Sequence, residues 1–432
     1  MMNRRHFNKV LLGATALSFA ACTSMDSGLG SLPKDADRVV VIGGGFGGAT
    51  AAKYIKRFSP DTEVVLVEMN KIYHTCPFGN TVIAGINDIS YIQHDYKTLE
   101  KKYGIKVVHK KAKKVDGKSK NVILEDGTMI PYTKAVVSPG IDFKFDKGYE
   151  ADSENFAPHA YKAGPQTTLL RKQLEEMPDG GTFVMVPPGN PFRCPPGPYE
   201  RVSLIADYFK KHKPNSKIVI LDQKNKFSKQ GLFTEAWENL YGEMIEWRSA
   251  EFGGKCLKVD PMAKVVSTED GDVKADVLNY IPYQKAGKIA FDSGLTKGDW
   301  CPVNKMTFES SIVPEVYVIG DASIASAMPK SGFSANSQAK IAALQISRAL
   351  KGKGPVTPPK LANTCYSLVS SEYGITVAAV YEAFPDKIVK VKGSGGLSPM
   401  GSYKDEKIIS IRMQEAAFAE GWYKNQTQDI FR

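Results

Sequence analysis

Six cysteines are spread through a chain of 432 residues, and two of them, Cys194 and Cys365, stand where sulfur chemistry could be done. Cys194 lies in Phe192-Arg193-Cys194-Pro195-Pro196-Gly197-Pro198-Tyr199-Glu200-Arg201, a rigid proline-rich run that carries a carboxylate at Glu200. Cys365 lies far along the chain, in Asn363-Thr364-Cys365-Tyr366-Ser367, and Cys76 follows Tyr73-His74-Thr75. A thiolate is the attacking group in disulfide exchange. Cys194 and Cys365 are therefore redox candidates, although sequence distance alone does not say whether they meet. Cys256 and Cys301 read as buried, inert thiols. Six cysteines are too few for a disulfide scaffold in a chain of this length. No Cys-x-x-Cys-His segment occurs, so the chain attaches no c-type haem itself, and the spacing of its six histidines predicts no metal site.

A second chemistry is written in glycine. Gly43-Gly44-Gly45-Phe46-Gly47-Gly48 follows a buried-strand run over 38–42 and opens a helix that runs to about residue 58. Gly43 permits the tight turn, Gly45 lets backbone approach a pyrophosphate, and Gly48 lets helix and strand pack closely. The helix N-terminus offers N–H groups and positive dipole to that phosphate. Glu68 ends a second strand, 64–68, about 20 residues on, where a carboxylate accepts from ribose hydroxyls. This is a dinucleotide-binding βαβ unit.

The elements that follow identify the dinucleotide. Val316-Tyr317-Val318-Ile319-Gly320-Asp321-Ala322 resembles the second flavin motif of two-dinucleotide-domain flavoproteins, in which the Asp accepts a hydrogen bond from the ribityl chain. After it, Lys330, Ser331 and Gly332 lead into a helix over 334–350 whose N-terminus can stabilise negative charge on a reduced flavin ring. The expected cofactor is FAD. A second unit has strands at 182–186 and 217–221 and a helix over 200–211. Its turn reads Pro187-Pro188-Gly189-Asn190-Pro191-Phe192, and proline lacks the N–H that a pyrophosphate cradle needs. The fold is kept there and NAD is excluded. The predicted fold class is α/β. It comprises two Rossmann-like domains, the FAD domain discontinuous and the second without nucleotide, plus a small C-terminal α+β region.

Composition agrees with a folded, multidomain chain: 42% apolar and 24% charged residues exclude disorder, collagen and a polytopic membrane protein. The net charge of +11 comes from scattered lysines, and Lys110-Lys111-Ala112-Lys113-Lys114 reads as a solvated edge, so no nucleic-acid partner is expected. Residues 1–21 read as an export signal: Asn3-Arg4-Arg5-His6-Phe7-Asn8-Lys9 resembles a twin-arginine signal ahead of an apolar run over 10–21. Phe19-Ala20-Ala21-Cys22 fits either a lipoprotein site with an anchor on Cys22 or plain cleavage near Ala21. The expected location is the periplasm. The domain reading is signal 1–21, tether 22–36, FAD domain 37–148 and 286–355, second domain 149–285 with Cys194, and a C-terminal region 356–432 with Cys365.

The strings Gly47-Gly48-Ala49-Thr50-Ala51-Ala52-Lys53-Tyr54-Ile55-Lys56 and Arg193-Cys194-Pro195-Pro196-Gly197-Pro198-Tyr199-Glu200-Arg201 are more specific than a flavin fingerprint. So are Trp300-Cys301-Pro302-Val303, Thr307-Phe308-Glu309-Ser310-Ser311-Ile312, Met328-Pro329-Lys330-Ser331-Gly332 and Asn363-Thr364-Cys365-Tyr366-Ser367. From about residue 38 onward the chain resembles the flavoprotein subunit of flavocytochrome c sulfide dehydrogenase. The resemblance implies a redox-active disulfide between Cys194 and Cys365 over the flavin, with Glu200 as a base. It implies a thioether from Cys76 to the 8α-methyl group of FAD, hydrosulfide as substrate and a c-type cytochrome subunit as partner. Around Cys76 the chain reads Cys-Pro-Phe-Gly-Asn-Thr-Val where the family pattern is Cys-Tyr-Leu-Ser-Asn-Glu-Val, so thioether and plain thiol both stay open. The alternatives are sulfide:quinone oxidoreductase and a flavin redox sensor without turnover. The polar composition of 401–432 argues against a membrane-facing surface.

Overall fold

Arg38–Ile42 is buried along its whole length, as a strand with neighbours on both edges and helices on both faces must be. In the computed structural model, which describes Leu29 and residues 36–432, it is the central strand of a five-stranded sheet. The order across that sheet is Val316–Val318, Lys134–Val137, Arg38–Ile42, Glu63–Val67 and Lys106–Val108, with every pair parallel. The outermost strand thus returns to the sheet after the whole second unit has been laid down. The export signal, most of the tether and Cys22 lie outside the described residues.

The second unit is a four-stranded parallel sheet ordered Ile245–Arg248, Lys217–Leu221, Thr182–Val186 and Val277–Tyr280. The helix Gly197–His212 covers it, and Pro198 near its start suits a position whose N–H has no partner in the helix. The α/β fold class read from the sequence, with two Rossmann-like units, is the observed one.

The third region is an antiparallel sheet of Lys360–Ser370, Tyr373–Ala383 and Ile388–Lys390, followed by the helix Glu406–Phe431. Its strand Lys360–Ser370 is wedged between the helix Gly197–His212 of the second unit and the helix Gly332–Leu350 of the first. Polarity conceals the C-terminal helix, because only Ile408, Arg412, Ala416, Ala419, Tyr423, Thr427, Ile430 and Phe431 are buried along its 26 residues. Its last turn packs on the first helix, Phe46–Phe58, where Lys53 Nζ donates to the Asp429 carbonyl at 2.6 Å. Phe431 lies fully buried there, stacked on His94 with ring centroids 4.8 Å apart.

Candidate active site

The glycine loop is built as its spacing demands. Gly43 has φ +94°, and a Cβ there would stand 2.3 Å from the Ser138 carbonyl oxygen. A Cβ on Gly48 would stand 1.7 Å from the Gly43 carbonyl oxygen, so helix and strand touch through bare backbone. The helix Phe46–Phe58 starts at Gly45 with no side-chain cap, which leaves its first N–H groups to a ligand. Gly45 and Gly47 line a cleft with about 1270 Å³ of space between its walls. Glu68 braces this loop, accepting the Gly44 N–H at 2.7 Å through one oxygen and the Asn70 N–H at 2.8 Å through the other.

At the same cleft, Gly320 turns with φ +72° and presents Asp321. Asp321 Oδ1 is buried without a hydrogen-bond partner, and so are Arg193 Nε and Nη2. Arg193 Nη1 stands 3.8 Å from Asp321 Oδ2. Burial pushes the Asp321 carboxyl up, and the Arg193 charge opposes that shift. Unsatisfied buried acceptors and donors on a cleft wall are costly unless a ligand completes them. Beside them the helix Gly332–Leu350 starts, capped by Ser331 Oγ, which accepts the Ser334 N–H at 3.0 Å. Gly332 leaves no room for a Cβ, which would fall 2.9 Å from the Phe46 ring. A phosphate-binding loop, an Asp with one buried oxygen left unbonded and a helix N-terminus along one cleft are the set that FAD requires. The residues fit that cofactor.

Lys330 Nζ donates to the carbonyls of Asp321 at 2.6 Å and Ser323 at 3.0 Å, and it stands 3.7 Å over the Trp300 ring. Those carbonyls and that ring together hold the ammonium beside Asp321, over Trp300.

Cys76, Cys194, Glu200 and Cys365 all line the cleft. Cys194 is held in the left-handed region at φ 55° by three bonds. Its N–H donates to the Lys330 carbonyl at 2.7 Å, and its own carbonyl accepts Gly197 N at 2.8 Å and Tyr161 Oη at 3.3 Å. Cys365 comes from the strand Lys360–Ser370, and Asn363 on that strand accepts the Ser331 hydroxyl at 2.6 Å. Both are free thiols here. The bridge implied by the resemblance is thus not formed in this structure, and the Cys365 Sγ instead faces the Tyr366 carbonyl at 3.8 Å. Burial raises both thiols above their ordinary values. The charge of Cys365 adds to the rise at Cys194, and Lys229 opposes it at Cys365. Cys76 Sγ faces the Tyr161 carbonyl at 3.5 Å, at the start of the loop that carries Phe78 in the left-handed region. Cys256 and Cys301 are buried, their thiols pushed up to about 11 and about 12.

Glu200 sits in the first turn of its helix, accepting the Leu368 N–H at 2.9 Å and Asn80 Nδ2 at 2.7 Å. Burial raises its carboxyl, and those two hydrogen bonds oppose the rise. Sequence reasoning missed Asn80, Lys229 and the roles of Arg193 and Arg201. Arg193 and Arg201 flank the quoted cysteine string, so two cations beside a redox thiol were a readable signal. Asn80 stands in the quoted Cys76 string, at a position shared with the family pattern, whereas Lys229 lies in an unrelated segment that only the fold brings in.

The altered turn of the second unit is explained by what occupies the place of a ribose-binding acid. Asp222 ends the strand Lys217–Leu221 fully buried, accepting from Lys224 Nζ at 2.6 Å, Tyr199 Oη at 2.5 Å and Trp247 Nε1 at 3.1 Å. Lys224 also donates to the Pro188 carbonyl at 3.0 Å. Lys224 thus ties the carboxylate to the turn.

Three family models match the chain. Residues 167–282 match the central domain of the sulfide dehydrogenase [flavocytochrome c] flavoprotein chain, and residues 357–431 match the flavin-binding domain of flavocytochrome c sulphide dehydrogenase. Residues 37–164 match pyridine nucleotide-disulphide oxidoreductase. The flavocytochrome c sulfide dehydrogenase flavoprotein chain of Chlorobaculum thiosulfatiphilum is 56% identical over 45 residues, which are 10% of this chain and 94% of that sequence. The mitochondrial sulfide:quinone oxidoreductase of Dictyostelium discoideum is 24% identical over 307 residues, 67% of this chain and 66% of the relative. The crystal structure of the sulfide:quinone oxidoreductase from Aquifex aeolicus shares the fold, with a TM-score of 0.71 at 16% identity over 92% of each chain. This chain is a flavoprotein oxidoreductase, and it belongs to the family of the flavocytochrome c sulfide dehydrogenase flavoprotein chain.

Proposed function

We propose that the chain is a periplasmic, FAD-dependent sulfide dehydrogenase subunit that oxidises hydrosulfide at the Cys194–Cys365 pair and passes electrons to a c-type cytochrome subunit. One observation carries the reading: two cysteines from distant segments, with Glu200 between their elements, line the same cleft as the dinucleotide loop. In the oxidised protein the two sulfurs are bonded. Hydrosulfide attacks one of them, a new S–S bond forms as the old one breaks, and the electron pair stays on the other cysteine as a thiolate. Glu200 takes the proton from incoming sulfide or from the persulfide, a role that contributes about 10²–10⁴-fold where a general base operates. When bound, FAD supplies a two-electron acceptor beside the pair, held by the glycine loop, Asp321, Arg193 and the N-terminus of the helix Gly332–Leu350. A thioether from Cys76, which lines the same cleft, would keep the cofactor on the protein outside the cytoplasm. The location rests on residues 1–21, with Cys22 as a lipid anchor if it is acylated.

A second reading, delivery of electrons to quinone, is favoured by the Dictyostelium relative and by Met413 and Phe418, exposed on the C-terminal helix. Among the described residues no helix is long and apolar enough to cross a membrane. Comparing cytochrome c with a quinone analogue as acceptor separates the two. The test of the site itself is Cys194→Ser and Cys365→Ser. Each should abolish bleaching of the flavin by sulfide while FAD stays bound, and normal bleaching in either variant would overturn the scheme. Acid denaturation followed by peptide mass mapping should find flavin mass on the Cys76 peptide.

A further inference from the structure

Lys229 is a buried cation that this scheme does not use. It stands in the left-handed region at φ 61°, at the residue before the helix Gln230–Tyr241 of the second unit, and only 6% of its surface is exposed. Its Nζ reaches into the third region. There it donates to the Cys365 carbonyl at 3.1 Å, Ser367 Oγ at 2.7 Å and the Ile375 carbonyl at 3.3 Å. These three acceptors use all three of its protons, and none of them carries a charge. A buried ammonium held only by neutral acceptors is poorly compensated unless negative charge develops nearby.

The groups able to supply that charge are few. Cys365, Glu200, Cys194 and Glu415 face Lys229 electrostatically, Cys365 most strongly, while burial pulls the ammonium down. Glu200, on the helix Gly197–His212, is engaged with Leu368 and Asn80. Glu415, on the C-terminal helix, accepts the Ser398 hydroxyl at 2.6 Å and faces Arg412 at 3.5 Å. Cys194 has Arg193 beside it as a second cation, whereas Lys229 is the cation that opposes burial at Cys365.

We propose that Lys229 is a positioning residue for Cys365: it fixes the strand through the Cys365 carbonyl and supplies the charge that holds the Cys365 sulfur as a thiolate. The inference rests on the exchange chemistry proposed above and gives it a direction. Hydrosulfide attacks the Cys194 sulfur, the Cys194–Cys365 bond breaks, and the electron pair moves to the sulfur of Cys365, the residue whose carbonyl Lys229 holds. A persulfide is left on Cys194.

The test is alkylation of the reduced, FAD-loaded protein with iodoacetamide as a function of pH, each cysteine followed by peptide mass. In Lys229→Met, which keeps the stem and loses the charge, the midpoint for Cys365 should rise by about one pH unit, a tenfold loss of thiolate below the midpoint. In Ser367→Ala, which removes a hydrogen bond and keeps the charge, it should stay in place. If Lys229→Met does not retain FAD, Lys229→Gln is read in the same way. An unchanged Cys365 midpoint in the charge-free variant would overturn the proposal, and so would equal shifts in the Lys229 and Ser367 variants, the mark of a packing role. Because alkylation uses no sulfide, this outcome is independent of whether Cys194→Ser still bleaches, which tests the exchange scheme.

Discussion

The carboxylate of Glu200 accepts the Leu368 N–H at 2.9 Å, which ties the helix beginning beside Cys194 to the strand that carries Cys365. Its other oxygen takes Asn80 Nδ2, and Asn80 Oδ1 accepts Arg201 Nε at 3.0 Å. Arg201 then donates to the carbonyls of His159 at 2.8 Å and Ala160 at 2.7 Å. One acid and a chain of hydrogen bonds behind it thus join the two sulfur-bearing segments.

Glu200→Gln separates this tie from the charge. The rate of flavin bleaching by sulfide should fall by about 10²–10⁴-fold if the carboxylate moves the proton. Stability should respond in a pH-dependent way. The folded carboxyl lies above its ordinary 4.5, so its favourable contribution is present at low pH and is lost as pH rises through the folded value. Thermal midpoints of variant and wild type should thus shift in the variant's favour as pH rises above the ordinary carboxyl value of 4.5. A constant difference would remove the buried-charge account.

Lys330 and Trp300 give an optical reporter. Burial lowers the lysine to about 8, and its Nζ lies 3.7 Å from the Trp300 ring centroid. Loss of the ammonium charge should change the emission of that indole. A fluorescence titration should show a transition near pH 8 that is absent from both Trp300→Phe and Lys330→Met. Its survival in either variant would assign it elsewhere.

Two histidines should make the protein sensitive to acid. Burial lowers His94 to about 4 and His159 to about 3, so both are neutral in the fold while the unfolded chain takes up protons near 6.5. A depressed histidine contributes stability that is lost as pH falls from the unfolded towards the folded value. The thermal midpoint should drop between about pH 6.5 and about pH 4, and His94→Gln should flatten part of that slope. Equal slopes would clear His94 of the effect.

Phe431→Ala tests the terminal turn. The ring is fully buried against His94, Tyr73 and Tyr96, and its removal should cost about 3–5 kcal/mol, read by chemical denaturation. A loss under about 1 kcal/mol would mean that the turn packs loosely.

Both nucleotide-type units were legible because their signals are local. A strand, a glycine turn and a helix occupy one short stretch, and Gly43 and Gly48 make the contacts their spacing implies. The proline turn at 187–191 was legible as an obstacle for the same reason, though not Asp222, whose partners Tyr199 and Trp247 come from separate elements. The partners of Lys330 were not legible, because sequence adjacency to Ser331 and Gly332 says nothing of which way a long side chain turns. The C-terminal helix was hidden by composition: its buried stripe includes Arg412 and Thr427, so a polar reading of 401–432 obscured the period. Lys229 could not be found at all, since its acceptors lie more than a hundred residues downstream.

The burial of Phe431 has a consequence for biosynthesis. The socket residues Tyr73, His94 and Tyr96 are made long before Phe431, yet the socket is filled by the last turn of the helix Glu406–Phe431. A nascent chain that has not reached Phe431 thus carries that socket open.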